Sequence, residues 1–404
     1  MKRNLATLLL LALLVGIPPL STGYFNLSRA QKWRSQNPAL ASNYYEKAAR
    51  LLFWETGLLE QAGLAASEAG DTQRAIQLLL QDRQKDSLSP TGFLALGELY
   101  WQQGNPEAAY AEAWLPLSQT GYSSSQLAAR LAEYKESQHD FFGAVTQLRE
   151  VLQLDPANAR AHYRLGLLLA AEDPTQALSN LEQSAALDTT LEPSVKILRP
   201  ALQPALTQPD PAYSSILISR GLASLNEWQL ALNAFQRSVQ ANPNYAEAWA
   251  WLAEALYQTG AAPTSEIETA FEKALTLNPA SAGIHAMAGL YWQRQGKNEQ
   301  AENQYRTATA LEPENPAWWQ ALAGAVAQRD LPAALELYQH ATALDPQNFS
   351  TWYALATFCV ENEAYLQDNG LEAALRAYAL QPENPQAMDL LGRALALTGE
   401  TDSA

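Results

Sequence analysis

Apolar residues recur along this chain in short runs of helical spacing, and each run ends in a Pro-containing turn. A similar sequence motif closes successive runs, as in LTLNPAS (275–281), ALEPEN (310–315) and ALDPQN (343–348). The prolines of five such motifs are 33 to 36 residues apart along the chain: Pro243, Pro279, Pro313, Pro346 and Pro382. A period near 34 predicts that one helix-turn-helix unit is repeated along the chain.

Local signals support this pattern of helix pairs. Asn105-Pro106, Asp173-Pro174 and Ser265 with Glu268 have the sequence of helix starts, a capping residue followed by proline or a capping box. Small residues recur where paired helices must approach closely, with aromatic residues between them and proline ending the second helix. The small positions include Ala253, Ala274, Ala301 and Ala308.

The unit from Ala282 to Asn315 resembles the tetratricopeptide repeat. Its residues in the matching positions are Gly289, Trp292, Gly296, Ala301, Tyr305, Ala308 and Pro313. Further copies begin at Trp249, Trp319 and Trp352, and weaker copies precede residue 190, one with Ala41, Tyr45 and Ala48 in its second helix. The resemblance implies an all-α fold, an α-solenoid in which the stacked units form a right-handed superhelix.

The repeat pattern divides the chain into five segments. We expect degenerate repeats over residues 24–190 and regular repeats over 212–384. Between them, 191–211 contain closely spaced prolines and are predicted to form an irregular helical segment or a hinge. Residues 385–404 are predicted to hold one capping helix, from Pro385 to Thr398, and a tail. The first 23 residues lie outside the repeats and are predicted to form a signal peptide or a membrane anchor.

The amino terminus has the layout of a secretory signal or a membrane anchor. Lys2 and Arg3 precede an apolar run, Leu5 to Ile17, which is followed by two prolines and small residues up to Gly23. Cleavage after Gly23 and retention as an anchor both remain open. Either alternative predicts an extracytoplasmic protein, whereas an accidental apolar terminus would leave a cytosolic adaptor.

Composition argues against several functions. The net charge of −16 and a pI near 4.7 disfavour nucleic acid as a partner. The single cysteine, Cys359, lies in an apolar run and is predicted to be a buried hydrophobic residue. We find no catalytic or cofactor-binding motif and predict neither enzyme activity, cofactor nor metal. His162 and His285 occupy the large-aromatic position of their units and are predicted to be packed and hydrogen-bonded.

Candidate binding residues follow from the resemblance, which implies that first helices line a concave groove. Glu247, Trp251 and Glu254 fall in groove positions of one helix, with Tyr257 close by. An aromatic ring between two acids favours a basic or amphipathic peptide. Packing of Trp251 against a neighbouring unit is the alternative.

A second candidate set is basic. Arg130 and Arg164 occupy the same groove position in adjacent units, Arg160 lies one turn from Arg164, and Arg220 falls in a groove position further on. These arginines predict a site for an acidic peptide or a carboxylate. Pairing with the glutamates of neighbouring helices is the alternative.

The sequence therefore predicts a protein-binding scaffold that holds a peptide or helix of a partner, with membrane attachment if the amino-terminal segment is retained. The rival prediction is a glycan-handling envelope protein with Trp101, Trp251 and Tyr257 as sugar platforms. Neither the partner nor the oligomeric state can be read from the pattern.

Overall fold

The computed structural model describes residues 19–207 and 211–399, and the regular elements of these stretches are helices. The all-α prediction is confirmed. Within the described chain, no helix is long and apolar enough to cross a membrane. The α-helices are α1 (19–33), α2 (Pro38–Leu51), α3 (Leu58–Glu68), α4 (Thr72–Arg83), α5 (Pro90–Gln102), α6 (Pro106–Ala109), α7 (Leu115–Gln119), α8 (Ser125–Ser137), α9 (Phe141–Leu154), α10 (Ala159–Leu169), α11 (Pro174–Leu187), α12 (Glu192–Ala205), α13 (Pro211–Ser224), α14 (Trp228–Ala241), α15 (Ala246–Thr259), α16 (Thr264–Leu277), α17 (Ala282–Arg294), α18 (Asn298–Leu311), α19 (Pro316–Val326), α20 (Leu331–Leu344), α21 (Phe349–Glu361), α22 (Leu371–Leu380) and α23 (Pro385–Thr398).

The helices form two compact units, each built from stacked pairs. One unit holds the described residues up to Leu169 together with Ser179–Glu192; the other holds Ala170–Leu178 and the described residues from Pro193 onward. In the second unit α13 packs on α14, α15 on α16, α17 on α18 and α19 on α20. First helices of successive pairs also touch, as α15 touches α17. This is the packing expected of a helical repeat.

Helix starts are mostly as predicted. The side chain of Asn105 accepts a hydrogen bond from the amide of Ala108, and Asp173 accepts one from the amide of Gln176. The predicted capping box at Ser265 is wrong: the capping position is Pro263, two residues earlier, and α16 begins at Thr264 without a side-chain cap. Glu268 instead accepts from Lys297 at 3.1 Å, because the next repeat brings a cation closer than the helix end.

Alanines form the seams between helices, as predicted. Ala253, Ala274, Ala301 and Ala308 are fully buried, and so are Ala41 and Ala48 in the second helix of the first pair. A methyl side chain lets two helix backbones approach closely while larger neighbours fill the remaining space. Repeat stacking in both units therefore rests on the small positions read from the pattern.

A recurring hydrogen bond fixes the large-aromatic position. The indole Nε1 of Trp249 donates to the carbonyl of Pro243 at 2.8 Å, six residues earlier. The same bond joins Trp319 to Pro313, Trp352 to Pro346, and the Nε2 atoms of His162 and His285 to Pro156 and Pro279. Trp249 itself is half-buried. This position selects a ring with an N–H donor, which ties each repeat to the preceding turn.

Replacing the donor should weaken this tie. We expect the Trp249→Phe variant to be about 1 kcal/mol less stable than Trp249→His, because both substitutions remove the indole but only histidine can still donate to the Pro243 carbonyl. Urea denaturation of the two variants measures the difference. Equal midpoints would contradict a role for the ring N–H.

Buried tyrosines in the second unit should make its stability sensitive to alkali. Burial raises the pKa of Tyr305 and of Tyr338 to about 12, from an ordinary value near 10. Because folding raises these pKa values, their stabilising contribution is complete below pH 10 and is lost as the pH rises towards 12. We expect the urea midpoint to fall between pH 10 and 12, and to fall less steeply in Tyr338→Phe. The same slope in that variant would contradict this assignment.

The proline-rich segment contains a regular helix. Residues 192–205 form α12 although Pro200 and Pro204 lie inside it. Leu198 packs where Gly221 of α13 lacks a side chain, since a Cβ there would lie 3.0 Å from Cδ2 of Leu198. A hinge at this segment stays a prediction, as does the role of residues 1–18, which lie outside the described residues.

Candidate functional site

The predicted arginines Arg130, Arg160 and Arg164 come together in one cleft of the first unit. The cleft has a volume of about 450 Å³ and lies between α8, α9 and α10. We call it the arginine cleft. Its lining residues are Gln126, Ala129, Arg130, Ala132, Glu133, Glu136, Leu148, Val151, Asn158, Arg160, Ala161 and Arg164. The apolar floor comes from α9, whereas the charged side chains come from α8 and α10.

Glutamates neutralise the arginine cleft. Arg130 pairs with Glu98 at 2.7 Å and with Glu133 at 2.5 Å, and Arg160 pairs with Glu133 at 3.4 Å. Arg164 pairs with Glu136. The arginines therefore pair with glutamates, as the alternative interpretation held, because stacking places acids of one first helix beside the arginines of the next.

The three arginines differ in their availability to a ligand. The side chains of Arg130 and Arg164 are each 27% exposed and bound to glutamate. Arg160 is 82% exposed, and the ion pair found for it among the described residues is a long one, with Glu133. Burial disfavours the charged form of Arg130, but the bonds and charges of Glu133 and Glu98 outweigh it and raise the pKa of Arg130. Arg160 is thus the cation that a ligand carboxylate reaches with the least competition.

The remaining basic residue, Arg220, lies in the second unit. Its guanidinium lies over the indole of Trp251, 5.4 Å from the ring centroid. On α14, Phe235 stacks parallel to the same indole with centroids 5.9 Å apart. Trp251 is half-buried, so it packs against the preceding repeat, as the alternative interpretation held, and keeps an exposed edge.

Glu254 is part of a second contact between first helices. This carboxylate is only 7% exposed and accepts from Arg294 of α17 and from Gln258, both at 2.7 Å. The same guanidinium lies 5.4 Å from the ring centroid of Tyr257. Glu254 and Tyr257 therefore join α15 to α17, while Glu247 at the start of α15 is exposed.

Trp101 is not a free platform either. Its ring packs at 5.4 Å against Trp114, which is completely buried. Sugar stacking needs an open ring face. Trp101, Trp251 and Tyr257 each share their rings with a neighbour, so the arrangement disfavours the glycan alternative at these positions.

Sequence reasoning missed the residues that set the charge of these surfaces: Glu98, Glu133, Glu136 and Arg294. Their partners lie 27 to 40 residues away along the chain. The repeat register could have revealed these ion pairs, since groove positions of successive first helices become neighbours. Considering each repeat separately hides the pairing.

The described residues offer little support for a metal site or for a reactive cysteine or histidine. No group of three His, Cys, Asp or Glu side chains there could hold a metal ion. Cys359 is buried as predicted, and burial raises the pKa of its thiol to about 11, which disfavours a nucleophilic thiolate. His162 and His285 are hydrogen-bonded through both ring nitrogens, as predicted. His340 packs edge-on against Trp319, with ring centroids 4.4 Å apart.

Comparison with known proteins identifies the family of this chain and several solved structures that are distantly similar to it. No curated protein matches the sequence. Yeast Tom70 is 13% identical, with 94% of this chain and 96% of that chain covered and a TM-score of 0.41. The Cut9–Hcn1 structure of the APC/C is 13% identical, with 89% and 83% covered and a TM-score of 0.42. YrrB, described as a TPR protein with an unusual peptide-binding site, is 19% identical, with 47% and 96% covered and a TM-score of 0.34.

Family models match most of the repeat region. A tetratricopeptide-repeat model matches residues 60–121, 217–282 and 286–349, and a second TPR model matches residues 137–172. Together these matches cover more than half of the chain, and the helix pairs described above agree with them. The protein belongs to the tetratricopeptide-repeat family.

Proposed function

We propose that the protein is a non-enzymatic scaffold that binds a peptide segment of a partner protein in the arginine cleft. The observation that carries the proposal is the cleft itself, about 450 Å³ in volume, with Arg160 82% exposed at its edge. Leu148 and Val151 of α9, both buried, line the cleft with apolar side chains. An apolar floor with a few directed polar groups is the usual composition of a specific binding site.

The charge pattern defines the peptide class. A purely acidic peptide must compete with Glu98, Glu133 and Glu136 for the arginines, which limits its affinity. A peptide carrying an acid for Arg160 and a basic or amide group for the glutamates satisfies both signs. We therefore infer a ligand of mixed charge with an apolar side chain that reaches the cleft floor.

The surface around Trp251 supports a second contact of the same kind. Arg220 and Glu247 are exposed there, whereas Glu254 is committed to Arg294. This leaves one available cation and one available acid beside an indole edge, again suited to a peptide of mixed charge.

A photo-crosslinking experiment tests the binding site. Gln126 lines the arginine cleft and is exposed, so a photoreactive side chain at this position should capture a peptide of a single partner in living cells. Lys273, exposed on α16, is the control position. Mass spectrometry of the products identifies the peptide; identical products from both positions, or none from Gln126, would refute the cleft as the site.

We further propose that the repeats act outside the cytoplasm, with residues 1–23 as signal or anchor. The support is the charged start and the apolar run Leu5 to Ile17. Fusion of alkaline phosphatase after Ala404 tests this, since that enzyme is active only after export. An inactive fusion of normal abundance would favour a cytosolic adaptor.

A further inference from the structure

The first helical pair exposes a patch of large apolar side chains, which we call the N-terminal aromatic patch: Leu20, Tyr24, Phe25, Phe53 and Trp54. All five are exposed, Phe53 to 76% and Phe25 to 56%. Contacts between α1 and the end of α2 join them. The hydroxyl of Tyr24 donates to Glu55 at 3.1 Å, and Gly23 packs against Leu52, the residue before Phe53.

Cations paired with aromatic groups lie on the same two helices, α1 and α2, and one of them contacts the patch itself. Arg29 lies 4.6 Å from the ring centroid of Phe25 and donates to the hydroxyl of Tyr44 at 3.0 Å. Lys47 lies 5.5 Å from the ring of Tyr44, and Lys32 lies 6.0 Å from that of Trp33. Within the described chain, the contacts found for these three cations are with aromatic side chains, not with carboxylates.

The charge of this region is opposite to that of the protein. Residues 1–55 contain seven Lys and Arg side chains and two acidic side chains, Glu46 and Glu55, although the whole chain has 26 basic and 42 acidic side chains. The patch also lies where the chain emerges from the apolar run Leu5 to Ile17. Basic and aromatic residues next to such a run are typical of a membrane–water interface.

We propose that the N-terminal aromatic patch lies against an anionic lipid bilayer. Phe53 and Trp54 enter the boundary between head groups and acyl chains, where aromatic side chains are favoured, and Arg29, Lys32 and Lys47 face the lipid phosphates. A second copy of the chain fits less well, because two such basic patches repel each other.

A local probe tests the proposal in the full chain. Trp54→Cys carries a polarity-sensitive fluorophore, since Cys359 is buried and resists labelling. We expect a blue shift with vesicles of phosphatidylcholine and phosphatidylglycerol, and a much smaller shift with phosphatidylcholine alone. The control is Phe142→Cys, at a side chain that is 85% exposed on α9. An unshifted label at position 54, or equal shifts at both positions, would overturn the proposal.

Reversing the charge of two basic residues provides a second test of lipid binding. Lys32→Glu/Lys47→Glu should raise the concentration of anionic lipid needed for the shift at position 54 by at least about 30-fold, because losing each basic side chain costs a factor of about five and the new glutamates add repulsion. Lys273→Glu, at an exposed site on α16, should leave it unchanged. Insensitivity to the double reversal, or a shift that appears without vesicles as protein concentration rises, would refute lipid as the occupant.

Discussion

The Gly97→Ala substitution is expected to lower the free energy of unfolding by about 3 kcal/mol. A Cβ at this position of α5 would lie 2.1 Å from Nε1 and 2.6 Å from Cε2 of Trp114. The indole cannot retreat easily, because it is completely buried and Trp101 packs beside it. Overpacking a close helix crossing forces the ring or the helix to move. Thermal unfolding followed by far-UV circular dichroism measures the loss.

Gly392→Ala is the control for this prediction. Gly392 also lies inside a helix, α23, but among the described residues no neighbouring atom lies within 4 Å of the place that its Cβ would take. Alanine is the better helix former by about 1 kcal/mol, so this variant should be as stable as the original or slightly more stable. A stable Gly97→Ala protein would show that the crossing tolerates a methyl group and that the contact with Trp114 is not limiting.

Arg294→Met is expected to lower the free energy of unfolding by about 3 kcal/mol. Glu254 is 7% exposed and would keep only the hydrogen bond from Gln258, so a nearly buried carboxylate would lose its counter-charge. The guanidinium is 32% exposed, which admits water and places the loss at the lower end for buried ion pairs. Urea denaturation measures the change.

A second substitution separates lost charge from lost packing. Arg294→Met/Glu254→Met removes both charges and should be more stable than Arg294→Met alone, since no carboxylate is then left buried without a partner. Arg376→Met is the matched surface control: its ion pair with Glu372 is 3.9 Å long and both side chains are 63% exposed. It should change stability by less than about 0.5 kcal/mol. A double variant as unstable as the single one would exclude the charge explanation.

The fold was largely predictable because its determinants are local and periodic. The alanine seams and the start and end of α23 follow from the spacing of small residues, prolines and capping residues in the sequence. The buried Trp114 was not predicted, because its environment depends on a π-helical turn, Tyr110–Trp114. Pro116 follows this turn and cannot donate to the carbonyl of Glu112, so the regular helix is interrupted there.

The position of the candidate site was predictable from the sequence, but the particular glutamates that neutralise its arginines were not. Arg130, Arg160 and Arg164 share one cleft because equal positions in adjacent repeats are neighbours. The glutamates that neutralise them lie on adjoining first helices, and their pairing becomes visible only when the groove positions of successive repeats are compared with one another. The same holds for Trp251, whose burial is set by Phe235 on the preceding second helix.

If the arginine cleft binds a peptide, the affinity of the peptide captured at Gln126 must depend on Arg160. Fluorescence anisotropy with the full chain, Arg160→Glu and the charge-matched control Lys273→Glu gives the three dissociation constants. We predict that Arg160→Glu weakens binding at least about tenfold, because it replaces an exposed, charge-assisted contact by repulsion, and that Lys273→Glu leaves binding unchanged. Equal affinities for all three proteins would show that the peptide does not bind in the arginine cleft.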